Sequence, residues 1–221
     1  SPREVALLAP YKDRLRPEIM AGTHRFPVSD GQGHNRANMA RAFALFGAAG
    51  YRQQGGRLVG AESGKPLAFE MMANTRAEER LFQAYAKALA QVGIFADIRL
   101  VDSAQRWARL KTFDFDMMQW TWNASLSPGN EQRDFWGSKA AGTPGSRNTA
   151  GIKDPAIDRL IEQLIGAPDR ESLIAVTRAL DRVLRSQHYW VPHWYNPVHR
   201  YASAGAFGAT VTVTDTSTGC S

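Results

Sequence analysis

Between residues 66 and 120 the chain alternates strand-length apolar runs with helix-length amphipathic runs, and this alternation restricts the fold more than any other feature. Residues 66–73 read as a strand. From Thr75 a helix is predicted to about Val92, with Leu81, Phe82, Tyr85, Leu89 and Val92 on one stripe and Gly93 as its stop. Residues 94–101 form the next strand, Ser103 caps a helix to Lys111, and a further strand begins at Phe113. Strand, helix, strand, helix, strand requires crossover helices over a sheet, an α/β layout. Leu58-Val59 pairs with 66–73 across the turn Glu62-Ser63-Gly64-Lys65, which makes the sheet mixed, with flanking helices.

The flanks are mainly helical. Residues 1–33 give a short helix carrying Val5, Leu7 and Leu8, then a proline-rich loop. Asn35 caps a helix with Met39, Phe43, Leu45 and Phe46 that ends at Gly50. Asp154-Pro155 opens a helix through Ile165, and Asp169 opens another with Leu173, Ile174, Val176, Leu180, Val183 and Leu184 on its apolar face. The two are expected to pack as a hairpin against the sheet. Residues 189–195, YWVPHWY, read as a strand whose Pro192 confines it to an edge or a connection. Residues 203–221 are small and threonine-rich, with at most a weak strand over 209–214, and are expected to be a poorly ordered tail.

With 43% hydrophobic and 22% charged residues, the chain has enough apolar content for a core. No apolar run reaches the ~18 residues of a membrane span, and the start SPREVALL lacks signal-peptide order, so any export signal is expected upstream or removed. The one cysteine, Cys220, excludes an intrachain disulfide and a cysteine metal site. The net charge of +6 comes from dispersed arginines without a basic run, which argues against a nucleic-acid partner.

Catalytic and metal patterns are thin. His188, His193 and His199 are five and six apart, which fits no zinc-site spacing. Asp114 and Asp116 on one strand face would stand about 7 Å apart, a separation glycosidic carboxylates use, and a hydrolase is the alternative reading. A richer signal is the segment FDFDMMQWTWNASLSPGNEQRDFWGS at 113–138. Phe113, Phe115, Met117 and Gln119 alternate with Asp114, Asp116, Met118 and Trp120, and the run stops at Ser127-Pro128-Gly129-Asn130. Trp120, Trp122 and Trp136 then surround a loop bearing Asn123, Ser125, Asn130, Gln132 and Arg133. Aromatic walls with neutral hydrogen-bonding groups suit recognition of a polar organic molecule better than bond breaking.

That segment, followed by PGSRNTAGIKDPAIDRLIEQL and RESLIAVTRALDRVLRSQHYWVPHWY, resembles the peptide- and oligopeptide-binding proteins of ABC importers, solute-binding family 5, particularly the YejA-like branch. The resemblance covers residues 1–202. It implies a non-enzymatic, two-lobed periplasmic receptor without cofactor or metal, a monomer that hands peptide or peptide-like ligands to ABC permease subunits. It also implies that residues 1–188 are the second lobe, 189–202 a returning hinge strand, and 203–221 an atypical tail, with the first lobe largely absent. Trp120, Trp122 and Asn123 then correspond to the cleft-lining strand end, where some relatives hold an aspartate for the peptide amino group. A neutral Asn123 loses that charge-assisted pairing. Arg133, Arg147 and Asn148 look like further cleft or loop-anchoring positions, with Asp134 or Asp154 as alternative arginine partners.

Overall fold

The computed structural model describes residues 1–28, 31, 35–122, 125, 127–193, 198–204 and 211–217, the last two ranges by backbone alone. It divides into Ser1–Gln187 and His188–Ser221. The first unit opens with α1 (Pro2–Leu8), α2 (Pro17–Ala21) and α3 (Arg36–Ala48), then β1 (Tyr51–Gln54), β2 (Arg57–Gly60) and β3 (Ala68–Ala73). It continues with α4 (Arg76–Ala90), β4 (Phe95–Leu100), α5 (Ser103–Thr112), β5 (Met117–Met118), α6 (Glu131–Trp136), α7 (Pro155–Ile165) and α8 (Arg170–Ser186). Among the described residues no helix is long and apolar enough to cross a membrane.

Three strands form a parallel sheet in the order β4-β3-β5, as two successive crossover helices require. α4 starts where the Thr75 side chain accepts from the Glu78 N–H and stops before Gly93, whose φ of 82° an L side chain rarely adopts. Its Phe82, Tyr85 and Ala86 cover Met71 and Ala73 of β3 together with Ala96, Ile98 and Met117. Fully burying one such large apolar side chain contributes about 1.5–3 kcal/mol, so this contact is what holds α4 to the sheet.

Two details of this unit differ from the sequence reading. The N-cap of α5 is Asp102, whose Oδ1 accepts from the Gln105 N–H at 2.8 Å, and Ser103 is already helical. The strand expected from Phe113 is only Met117–Met118, because Phe113 takes a left-handed conformation (φ 57°) that ends α5 and spends the following residues turning the chain.

The antiparallel element also differs in its partner. β2 pairs with β1, in register from Tyr51↔Gly60 to Gln54↔Arg57, and 66–73 touches it only through a bridge from Val59 to Pro66. The connection is Gly55-Gly56 with φ of 57° and 76°, the two positive values that a tight two-residue hairpin needs. This hairpin docks on the end of α4: the Leu58 N–H donates to the Gly93 carbonyl at 2.7 Å and Gln53 Nε2 to the Val92 carbonyl at 2.9 Å. The α/β class with flanking helices therefore holds, with its parallel and antiparallel parts in separate small sheets.

α7 and α8 begin at the expected caps, Asp154 accepting from Ala156 N–H and Asp169 from Ser172 N–H. They pack on each other, and their other main contacts are with α1, α2 and α6 rather than with the sheet. Their apolar faces, Ile157, Leu160, Ile161 and Leu164 against Val176, Leu180 and Val183, are buried along with Leu8 of α1 and Ile19 of α2. In the second unit β6 (Val198–Ala204) pairs antiparallel with β7 (Val211–Ser217). Alternating valine and threonine over 211–214 suits a strand. Residues 189–193 are not strand, and 194–197 lie outside the described residues.

Candidate ligand-binding cleft

The carboxyl ends of the parallel strands converge on an open cleft of about 420 Å³. Asn74 enters it directly after β3, and Glu78 from the first turn of α4. Ser103, Arg106 and Trp107 come from the beginning of α5, and Gln119, Trp120 and Thr121 follow β5. Because β3 is central, its two neighbours are reached in opposite directions, and the crevice outside such strand ends is where open α/β sheets bind ligands. Trp107 stands 57% exposed, which leaves much of its indole open to solvent.

The floor is polar and already paired. Arg106 Nη1 donates to Glu78 Oε2 at 3.2 Å and to Asn74 Oδ1 at 3.4 Å, and its Nη2 to the Gln119 carbonyl at 2.8 Å. Asn74 completes the set, its N–H donating to Glu78 Oε2 at 2.7 Å and its Nδ2 to Ser103 Oγ at 3.3 Å. The Arg106 and Glu78 side chains are only 14% and 15% exposed, so their opposite charges cancel within the wall. Such a surface offers stacking faces and neutral hydrogen-bonding groups.

Of the residues singled out from the sequence, Trp120 lines this cleft, half-buried. Trp122 turns instead onto Trp136, ring centroids 5.1 Å apart, and Trp136 is buried on α6 with its Nε1 donating to Gln132 Oε1 at 2.8 Å. Asn123 lies outside the described residues. Ser125 is exposed, its Oγ accepting from the Ser127 N–H at 3.2 Å. Asn130 accepts at 2.9 Å from Arg133 Nη1, while the other two guanidinium nitrogens meet the Glu162 carboxylate at 2.8 and 2.6 Å. The fork thus closes on Glu162, not on Asp134 or Asp154, and that hydrogen bonding holds the Glu162 carboxyl below its ordinary range. Arg147 does approach Asp134, at 3.6 Å, and lies over the Phe135 ring.

Asn148 is fully enclosed. Its Nδ2 donates to the carbonyls of Gly137 and Ile152, and its Oδ1 accepts from the Ile152 N–H. Of the two roles open to it, the geometry gives the loop anchor. Asp114 and Asp116 do not share a strand face, since both precede β5. Asp116 accepts from the Glu70 N–H at 2.9 Å, and Asp114 pairs with Arg109.

No motif in the sequence marks Asn74, Glu78, Ser103, Arg106, Trp107 or Thr121 as site residues. Their signal was positional: each falls at a predicted strand end or in the helix turns just after one.

Residues 11–144 match the family described as bacterial extracellular solute-binding proteins, family 5 Middle, over more than half of the chain. This chain belongs to that family. Two relatives from Agrobacterium fabrum each align over 193 residues, 87% of this chain and 31% of theirs: "Probable peptide-binding protein YejA" at 42% identity and "Peptidoglycan-binding protein YepA" at 40%. The fold matches the oligopeptide-binding protein AppA of Bacillus subtilis, solved with a nonapeptide, at a TM-score of 0.62 and 18% identity, covering 85% of this chain and 40% of that one. The family 5 chain spans about a third of the length of the curated relatives it matches. Family 5 proteins are binding proteins rather than enzymes, and the hydrolase reading of Asp114 and Asp116 falls with that assignment.

Proposed function

We propose that this family 5 chain carries one wall of the ligand site of a periplasmic receptor that delivers peptides or peptide-like compounds, including cell-wall fragments, to an ABC permease. The observation that carries the reading is the cleft at the strand ends, where Trp107 and Trp120 flank a charge-compensated, amide-rich floor. Its chemistry suits an extended ligand with many neutral donors and acceptors, and the relatives named for peptide and peptidoglycan binding supply the class. Residues 1–188 are read as the second lobe, 189–202 as the strand returning to a first lobe, and 203–221 as an atypical tail. The receptor acts as a monomer, without cofactor, metal or nucleic acid. Calorimetric titration of the full-length parent with peptides of graded length tests this: saturable binding is expected, and its absence across the series would sink the reading.

A further inference from the structure

The cleft is organised around one side chain. Arg106 reaches acceptors on three separate elements: Asn74 at the end of β3, Glu78 on α4, and the Gln119 carbonyl after β5. β5 joins β3 through Met117 and Met118, with the Asp116 carboxylate bound to the Glu70 N–H just before it, and the bond from Arg106 extends that attachment to the peptide that leads into Trp120. A lysine ammonium is a compact point charge without the planar fork that serves these directions together.

We propose that Arg106 is the positioning residue of the cleft: it pins the Gln119–Trp120 peptide and cancels the Glu78 carboxylate, so the floor meets its ligand as a neutral surface. The second half of this rests on the ligand-binding reading above; the first half does not. Remove the guanidinium and two things change. The peptide before Trp120 loses its donor, and Glu78 becomes an anion beside the ligand that, among the described residues, keeps the bond from the Asn74 N–H.

Two measurements test it on variants whose far-UV circular dichroism matches the wild type. In this chain, without ligand, Arg106→Gln should raise acrylamide quenching of tryptophan fluorescence, Arg106→Lys should fall between, and the difference should vanish in a Trp120→Phe background. Unchanged quenching overturns the pinning role. In the full-length parent, two blocked pentapeptides differing only by a central Gln or Lys are titrated. Wild type should bind them within about threefold of each other, Arg106→Gln should prefer the Lys peptide by about tenfold, and Arg106→Gln with Glu78→Gln should restore parity. Unchanged selectivity in Arg106→Gln overturns the neutralising role. If neither peptide binds wild type, the ligand reading falls, and the quenching result alone decides for or against Arg106.

Discussion

Replacing Asn148 by alanine removes a side chain that ties Gly137 to Ile152 across the loop between α6 and α7. The residue is 0% exposed, so water cannot take over its bonds without opening the loop. The Gly137 carbonyl keeps a second donor, the Ala140 N–H at 3.0 Å, and loses only a supplementary bond. Ile152 is worse placed: its N–H and its carbonyl both lose the Asn148 amide inside a fully buried site. At about 1–3 kcal/mol for each orphaned buried group, the expected loss is about 4 kcal/mol. Urea unfolding of this chain, followed by circular dichroism, measures it. With a slope of about 2.5 kcal/mol/M the midpoint should fall by roughly 1.5 M. Asn148→Asp keeps the acceptor for the Ile152 N–H but turns an oxygen toward two carbonyls, and should be no milder. A loss under about 1 kcal/mol for Asn148→Ala would refute the anchoring argument.

Gly93→Ala should cost about 3 kcal/mol in the same assay, since a left-handed backbone is combined with a Cβ only 2.8 Å from the Leu58 nitrogen. Gly50→Ala has the same φ but open space around it, and should cost only about 1 kcal/mol, so equal losses would contradict the docking of the β1–β2 hairpin on α4. Asp169 is held below its ordinary value of 3.8 by the Ser172 N–H, so its stabilising contribution is full above that value and fades as the pH falls through the lower folded one. Asp169→Asn keeps a capping oxygen without the titration; the stability difference between the two proteins should therefore shrink between pH 5 and pH 3, measured by urea midpoints, and a constant difference would count against the cap as the source.

Much of this architecture could be read from local chemistry. Asp154, Asp169, Asn35 and Thr75 mark helix starts because a short side-chain oxygen beside an apolar stripe has few other uses, and Gly93 marks a stop because its φ excludes most side chains. The β1–β2 hairpin leaves little trace in the sequence because Tyr51–Gln54 is largely polar and mostly exposed, so Gly55-Gly56 is its main sign. The strand expected from Phe113 is longer than the observed one for the opposite reason: alternation in Phe113, Asp114, Phe115 and Asp116 mimics a strand, while a left-handed C-cap on a phenylalanine leaves no compositional trace.

The site was legible only in part. Trp120, conspicuous in the sequence as an aromatic residue after an apolar run, lines the cleft. Arg106 and Glu78 look like ordinary helix-surface charges, 28 residues apart, and only the crossover topology brings them together. Arg133 and Asn148 drew attention by their residue types, yet spend their hydrogen bonds on Glu162 and Asn130 and on the loop backbone. Residue type indicates what a side chain can do; its partners decide what remains available to a ligand.

The most direct test compares two substitutions in the full-length parent, titrated calorimetrically with a peptide that the wild type binds. Trp120→Ala should weaken binding by at least about tenfold, because it removes a cleft wall, whereas Arg133→Ala should leave affinity within about twofold, because its guanidinium is occupied by Glu162. Unchanged affinity in Trp120→Ala, or a loss confined to Arg133→Ala, would contradict the assignment of the ligand wall to the strand ends.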